Sequence, residues 1–380
     1  MGKGPRRAAQ GAGIVRGTSQ HERPEVVDLD GSARLEGLDR DWLELAGRVD
    51  GTSYFQTPDW VLGWWETIAG RPPTRIATWR APSGGLEAVV ALSRARERLH
   101  RRLPVAVPVY ANAGSGAGAA DHCGWLVPPA RADEVSAWVS EAIRGGALLV
   151  RSADPDWPRP ALPGGARVVD AIACPRVELP LADRGAGPSP AFVRQLRRFT
   201  RRLERERVRF EWVAPGQVDE RLLTTLFELH ARGRARRGGS AFGPEQLAFH
   251  RRLAERAGPG RGPAAVVARR EEAIVGVLYG FWWQDTFAGY QSGWDPSFAR
   301  HSMGSVLVMH ALERAADEGA HTFDFLRGRE PYKYRFGARD RCDRTWLVPR
   351  GPAGALLTTR HRVRDRLHRA RTEDERTHEG

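Results

Sequence analysis

The sequence is nearly without lysine. Only Lys3 and Lys333 occur among its 59 basic side chains, and the other 57 are arginine. Cysteine is scarce too: Cys123, Cys174 and Cys342 stand far apart and form no paired motif. An odd number at that spacing argues against a disulfide framework and against a zinc site, so no metal is expected. Long apolar runs are missing: no stretch of about 18 apolar residues occurs, and no membrane-spanning helix is expected. Residues 1–23 are rich in Gly, Arg and Gln and lack the continuous apolar stretch of a secretory signal. These absences point to a reducing cytoplasm.

What is present is the composition of a globular protein, 41% hydrophobic and 28% charged. The 380 residues suffice for two domains, each with its own core. A formal net charge of +13 invites a nucleic-acid reading. The arginine skew, together with abundant Ala, Gly and Pro, instead matches the codon pressure of a GC-rich genome. Part of the excess lies at the two ends, at Arg6 and Arg7 and from Arg360 to Arg371. Runs of charge are ordinarily solvated faces, so a polyanionic partner is not required. The same skew singles out Lys333, because an ammonium is a compact point charge and a guanidinium a wide planar fork.

Along the chain, residues 1–23 read as a disordered basic arm. A first domain is expected over 24–180. It has a helix over 58–68, with Thr57 as N-cap and Pro58 at the first helical position. Strands are expected at 74–79, 86–93, 105–110, 124–127 and 147–151, a helix at 132–144 and a Gly/Ala-rich loop at 111–120. Residues 181–189 read as a linker, and a second domain is expected over 181–350. Ser189-Pro190 opens a helix in which Phe192, Leu196, Phe199 and Leu203 form one apolar stripe, with arginines covering the rest. Further helices are expected at 218–231, 243–257 and 302–318, and strands at 208–213, 264–269, 274–283, 286–292 and 321–326. Residues 351–380 read as a basic tail, helical or disordered. The pattern is α+β with a mixed sheet.

Two segments carry chemistry. In the first, Gly293 to Leu307, a strand gives way to a polar turn and then a helix with Ser302, Met303, Gly304 and Ser305 at its start. Small residues there leave backbone N–H groups open to a phosphate, which the helix dipole also favours, although Ser-x-Gly is also a common plain cap. In the second, Phe323 to Gly337, a short strand delivers Asp324, Glu330, Tyr332, Lys333 and Tyr334 within about ten residues. A salt-bridged loop would have the same spacing.

These segments, in this order, resemble the GNAT superfamily, in its branch of Fem peptidyltransferases and CelD-type (cellulose biosynthesis) acetyltransferases. Phe323-Asp-Phe-Leu-Arg-Gly-Arg-Glu-Pro-Tyr-Lys-Tyr-Arg-Phe-Gly337 is similar to that branch's C-terminal signature, and Tyr54-Phe-Gln-Thr-Pro-Asp-Trp60 to its N-terminal opening. The resemblance spans about Pro24 to Pro349. It implies two tandem GNAT-like domains, each a mixed, mostly antiparallel sheet flanked by helices, with the working cleft on the second. It also implies acetyl-CoA or another acyl-CoA as co-substrate, held by Gln291, Ser292, Arg300, Ser302, Met303, Gly304 and Ser305. The superfamily's phosphate loop, Arg/Gln-x-x-Gly-x-Gly/Ala, is matched only in part. With its last glycine on Gly304, Ala299 takes the basic position and Arg300 comes one residue late.

The chemistry so implied is attack of a neutral amine on an activated carbonyl, which needs a base, an oxyanion donor and a proton for the leaving group. Asp324 or Glu330 is the candidate base, with Asp324 preferred because its strand should end at the cleft. Tyr332 or Tyr334 is the candidate acid, and Lys333 the candidate for oxyanion or anion binding. His122 could face a cleft between the domains, although a lone histidine is more often structural. Gln56, Asp59 and Trp60 could shape the acceptor side, though the Trp cluster reads as core. The leading expectation is a coenzyme A-dependent N-acyltransferase acting on a small amine. The alternatives are a Fem-like enzyme using aminoacyl-tRNA, with the arginine face of the 189–207 helix on the tRNA backbone, and a non-enzymatic nucleic-acid binder using the basic ends.

Overall fold

The computed structural model describes residues 23–378, apart from 30–34, 36, 101–103, 117, 119, 158–160, 182–186 and 235–242. The arm expected over 1–23, Arg23 excepted, lies outside the described residues, as does most of the expected linker. No helix among the described residues is long and apolar enough to cross a membrane.

The chain repeats one succession of elements. The first pass is β1 (Glu25–Leu29), α1 (Leu38–Arg48), α2 (Pro58–Glu66), β2 (Thr74–Arg80), β3 (Leu86–Arg98), β4 (Ala106–Asn112), α3 (Ala132–Ala142), β5 (Ala147–Ala153) and β6 (Arg167–Glu178). After α4 (Pro190–Arg205) the second pass runs β7 (Val208–Val213), α5 (Glu220–Arg234), α6 (Pro244–Glu255), β8 (Arg261–Arg270), β9 (Ala273–Trp283), β10 (Thr286–Trp294), α7 (Met303–Asp317) and β11 (Thr322–Asp324). A short helix α8 (Pro331–Arg335), β12 (Arg339–Val348) and α9 (Gly351–His378) follow.

All twelve strands join one sheet in the order β1-β2-β3-β4-β5-β12-β6-β11-β10-β9-β8-β7. Read from either end, the order is the same under exchange of the two repeats, except that each repeat has given its last strand to the other. The strand β12 pairs antiparallel with β5, β6 pairs antiparallel with β11, and β6 and β12 pair antiparallel with each other. The fold is therefore α+β, two similar tandem units, as the GNAT resemblance implies, but sharing one mixed sheet flanked by helices.

Local signals set the helices. The Thr57 side chain accepts the Trp60 N–H with Pro58 at the first helical position, and Ser189 does the same for Phe192 ahead of α4. On α4, Phe192, Leu196, Phe199 and Leu203 are buried as the stripe requires, each contributing about 1.5–3 kcal/mol. Trp60 is wholly buried, in a core that also takes Phe249, Val267 and Phe281 from the second repeat. Beside it, α2 packs on α6, and Asp59 pairs with Arg256 and Arg261 while Glu66 pairs with Arg252. Gln56 closes a capping box with Ser53, so Gln56, Asp59 and Trp60 build the joint between the repeats.

The elements that the sequence pattern misses are β1, α1, β6, α8 and β12. Residues 124–127 form only an isolated bridge, Leu126 to Val89. The two central strands look unlike central strands. Pro175 interrupts β6, and β12 begins Arg-Asp-Arg-Cys-Asp-Arg. Of these charged groups, Asp343 and Arg341 join a buried charge cluster, whereas Arg339, Asp340 and Arg344 face solvent.

Candidate active site

The site starts from a divergence of two parallel strands. Thr286–Ala288 of β10 pair with Thr322–Asp324 of β11, and there the pairing ends. Past that point β10 continues to Trp294, while the other chain turns toward β6: the Phe325 N–H donates to Pro175 O at 2.9 Å and that of Gly328 to Ala173 O at 2.9 Å. A register shift between Gly289 and Gln291 bends β10 at the same level. The result is a wedge with Asp324 at its apex and half-buried Tyr290, Gln291 and Ser292 along one side. The first repeat has the same divergence, since Val109–Ala111 of β4 pair with Ala147–Leu149 of β5. There a side chain bridges the two strands. The Asn112 carboxamide accepts the Arg151 N–H at 2.9 Å and donates to Arg151 O at 3.2 Å.

A buried ionic cluster lies behind the apex. The Nε2 of His122 is 3.1 Å from Asp324 Oδ2, and its Nδ1 is 2.8 Å from Asp343 Oδ1 and 3.7 Å from Asp154 Oδ2. The His122 backbone N–H donates to Asp343 Oδ2 at 2.5 Å. Burial disfavours the imidazolium, but the Asp324 and Asp343 carboxylates outweigh that and hold its pKa well above the usual value. One residue earlier, Asp121 accepts the Arg327 backbone N–H at 2.9 Å and its Nε–H at 2.7 Å. Burial raises the Asp121 pKa although Arg327 opposes it. Arg341 of β12 pairs with Asp154 and, at 2.8 Å, with Asp156. His122, Cys174 and Asp343 each present a potential ligand atom within 4.8 Å of one another. The imidazole nitrogen, however, is already bonded to Asp343, and burial pushes the Cys174 thiol up. That trio is built as a hydrogen-bonded pair beside a protonated thiol.

Lys333 sits under the turn after β11, only 2% exposed. Its ammonium donates to the carbonyls of Leu326 at 3.0 Å, Arg327 at 2.8 Å and Gly328 at 3.0 Å, and pairs with Glu330 at 2.9 Å. The turn needs such a fastening because Leu326 holds the left-handed φ of 54° that a branched side chain disfavours. Asp324 Oδ1 assists by accepting the Leu326 N–H at 2.7 Å. A compact ammonium can meet three converging carbonyls and a planar guanidinium cannot, which gives the chain's lysine a physical reason. Tyr332 is exposed, its phenol pushed up to about 12 by burial of the hydroxyl and by Glu330. Tyr334 is exposed as well and donates to Asp340 at 2.7 Å.

The other predicted binding residues line the wedge or stand at the start of α7. Gln291 Oε1 accepts the Ser292 N–H at 3.0 Å, and Tyr290 donates its hydroxyl to Gly118 O on the loop of the first repeat. Ser302, in the left-handed region at φ 49°, precedes α7, and no side chain caps the helix. Buried Met303 and then Gly304 follow, with amides facing the helix start. A Cβ on Gly304 would stand 3.0 Å from the Trp294 ring, so this glycine is set by packing against Trp294. Arg300 is engaged with Glu206 at 2.9 Å, as is His301 at 2.8 Å.

Residues 191–334 match the family model described as an Acetyltransferase (GNAT) domain. The second repeat carries a GNAT acetyltransferase-type domain. The matched segment contains the wedge, the start of α7 and the Lys333 turn. No curated protein matches the chain. Among solved structures the chain is similar to FemX, at 10% identity and a TM-score of 0.59, over 81% of this chain and 95% of that one. It is also similar to the C-terminal domain of a putative lysylphosphatidylglycerol synthetase from Agrobacterium fabrum, at 15% identity and a TM-score of 0.54, over 86% and 96%. A conserved protein from Bacteroides thetaiotaomicron VPI-5482 matches at 13% identity and a TM-score of 0.53, over 83% and 97%. At these identities the likeness is one of fold.

Sequence reasoning missed Asp121, Arg327, Asp154, Arg341 and Asp343, and weighed His122 as structural. One signal was available: Asp121-His122-Cys123, a polar group directly after a Gly/Ala-rich stretch, is unusual for a loop that merely connects.

Proposed function

We propose that this acyltransferase moves an acyl group from coenzyme A to the amine of a small molecule, with the donor in the β10–β11 wedge. The observation that carries this is the wedge itself: in the second repeat β10 and β11 part at Asp324 with no side-chain bridge between them among the described residues, whereas in the first Asn112 bridges the two strands. Coenzyme A, when bound, supplies an activated acyl carbonyl and a thiol leaving group. The residues present fit such a donor. The bulged β10 backbone at Tyr290 and Gln291 borders the wedge where the carbonyl would lie, and the uncapped start of α7 offers the Met303 and Gly304 amides to phosphate.

Asp324 takes the amine proton. His122, held by Asp343, orients the carboxylate and keeps cationic charge beside it. Tyr332, with its phenol at about 12, stays protonated at neutral pH and donates toward the leaving group. Lys333 and Glu330 fasten the turn that keeps Asp324 at the apex. A cytoplasmic setting suits a coenzyme A donor.

A second reading rests on α4. Arg194, Arg197, Arg198, Arg201, Arg202 and Arg205 are all exposed there, and α4 packs on the segment that carries Arg300. Such a face suits the phosphates of an aminoacyl-tRNA donor. The discriminating experiment titrates acetyl-CoA, longer acyl-CoAs and a charged tRNA into wild type and Asp324→Asn, then assays thiol release over an amine panel. Saturable acyl-CoA binding in both proteins, with turnover lowered about 10²–10⁴-fold in Asp324→Asn, is expected. Tight charged-tRNA binding without acyl-CoA binding would establish the second reading, and unchanged turnover in Asp324→Asn would remove it as base.

A further inference from the structure

The coenzyme A reading leaves a strongly charged face unused, that of α4. Arg194, Arg197, Arg198, Arg201, Arg202 and Arg205 are all exposed there. At 3.6 residues per turn they fall within one arc of about 140°, opposite buried Phe192, Leu196, Phe199 and Leu203. The row is about 16 Å long. None of the six forms an ion pair among the described residues. Arg198 lies 5.7 Å over the neighbouring Phe199 ring, and the charge of Arg197 acts on Glu313 of α7. The helix has one acid, Glu204, which the same spacing puts at the border of the arc.

Codon pressure does not account for this. It turns lysine into arginine but leaves Asp and Glu in place, and the chain has 46 of them. Under the same pressure α1, α2, α3, α5, α6 and α7 each keep at least two acidic residues. On α4, like charges instead face each other at 194/198, 197/201, 198/202 and 201/205, an arrangement that weakens a helix. The buried stripe holds α4 against that repulsion, and an outside anion would relieve it.

The shape of the face selects among anions. Packed on α7, β7 and the segment carrying Arg300, α4 presents a convex ridge rather than a groove. A ridge and a nucleic-acid duplex are both convex and meet over a few phosphates, whereas a flat surface meets the whole row. The arc also offers no amide or aromatic side chain to read or stack bases. At its two ends α4 adjoins the candidate site. Arg335 of α8 lies 3.9 Å over the Phe192 ring, and Glu206, just past the helix, holds Arg300 and His301 ahead of α7.

We propose that the α4 face docks the protein on a bilayer rich in anionic phospholipid, with the Lys333 turn and the start of α7 beside that surface. The docking does not depend on which donor the wedge takes. Each arginine near such a surface raises the affinity about fivefold, and the factors multiply.

The test is co-sedimentation of the full chain with phosphatidylcholine vesicles, either plain or about one-third phosphatidylglycerol, at low and high salt. Wild type is compared with Arg194→Gln/Arg198→Gln/Arg201→Gln on α4. A control, Arg40→Gln/Arg75→Gln/Arg144→Gln in the first repeat, removes the same charge from arginines that have acidic partners. A mixed tRNA pool is titrated into all three proteins. Wild type and the control should bind the anionic vesicles alike, neither should bind plain vesicles, and salt should release both. The α4 variant should bind about 10²-fold more weakly. Its unfolding midpoint should be no lower than that of wild type, because the substitutions remove like-charge contacts. Phenylglyoxal footprinting of wild type needs no substitution: anionic vesicles should shield the α4 arginines. Absence of vesicle binding, equal loss in both variants, no loss in the α4 variant, or shielding only elsewhere overturns the assignment. So does tRNA binding that is tighter than vesicle binding and lost in the α4 variant, which would make α4 an RNA face.

Discussion

Replacing Lys333 decides whether that lysine reacts or holds. Its three protons meet four acceptors, three of them main-chain carbonyls within 3.0 Å, in a site only 2% exposed. Lys333→Met keeps the stem and removes the charge, so the carbonyls of Leu326, Arg327 and Gly328 lose their common donor. Hydrogen bonds from a charged donor contribute about 1.5–3 kcal/mol each, and breaking a buried charged arrangement by removing one partner costs about 3–5 kcal/mol. The Glu330 share is small, because that carboxylate is 55% exposed. At about 2–4 °C per kcal/mol, the melting temperature should fall by roughly 6–20 °C. Lys333→Arg should fall as far, since a planar fork cannot turn three N–H groups onto converging carbonyls and its extra volume costs about 1–3 kcal/mol. Thermal unfolding and steady-state turnover are measured on the same samples. Both variants should lose stability, with turnover recovering at low temperature as the turn refastens. A wild-type melting temperature with turnover abolished would refute the reasoning and make Lys333 a participant in the chemistry.

The His122 cluster sets a pH dependence. Because its folded pKa is raised above the unfolded value of about 6.5, its stabilising contribution is complete below about pH 6.5 and declines as pH rises toward the folded pKa. Denaturant unfolding from pH 6.5 to 8 should show wild type losing up to about 1.4 kcal/mol per pH unit, and His122→Gln should flatten that slope. Identical slopes would mean that Asp324, Asp343 and Asp154 do not hold a cation between them. Gly280→Ala addresses the bend beside the wedge. A Cβ there would lie 2.2 Å from Ala288 O, so β9 and β10 must part, at a cost of about 1–3 kcal/mol. Weaker acyl-CoA binding should accompany the lower stability, and an unshifted unfolding midpoint would show that the strands are not so tightly joined.

The amino-acid order alone determined what depends on near neighbours. Thr57-Pro58 and Ser189-Pro190 start helices because a hydroxyl two or three residues from an orphan amide caps it wherever it occurs. The α4 stripe and the strands β8 to β10 follow from the spacing of apolar residues, and the 323–337 segment already gathered Asp324, Glu330 and Lys333. Even the oddity of a nearly lysine-free chain retaining Lys333 was readable, though the three carbonyls that explain it were not. Tertiary structure alone decided the rest. The strands β6 and β12 are polar and, in β6, proline-broken, so no local period marks them as central. They are central because each crosses to the other repeat, where Arg341 and Asp343 find Asp154 and His122. His122 meets Asp324 and Asp343 across about 200 positions of chain, a distance at which no pattern of neighbours carries information. Which of two similar divergences is bridged was likewise settled by one contact, the Asn112 carboxamide on the Arg151 backbone, formed only once β4 and β5 lie side by side. Burial of charge is favourable only when partners converge from distant segments, and that convergence belongs to the fold.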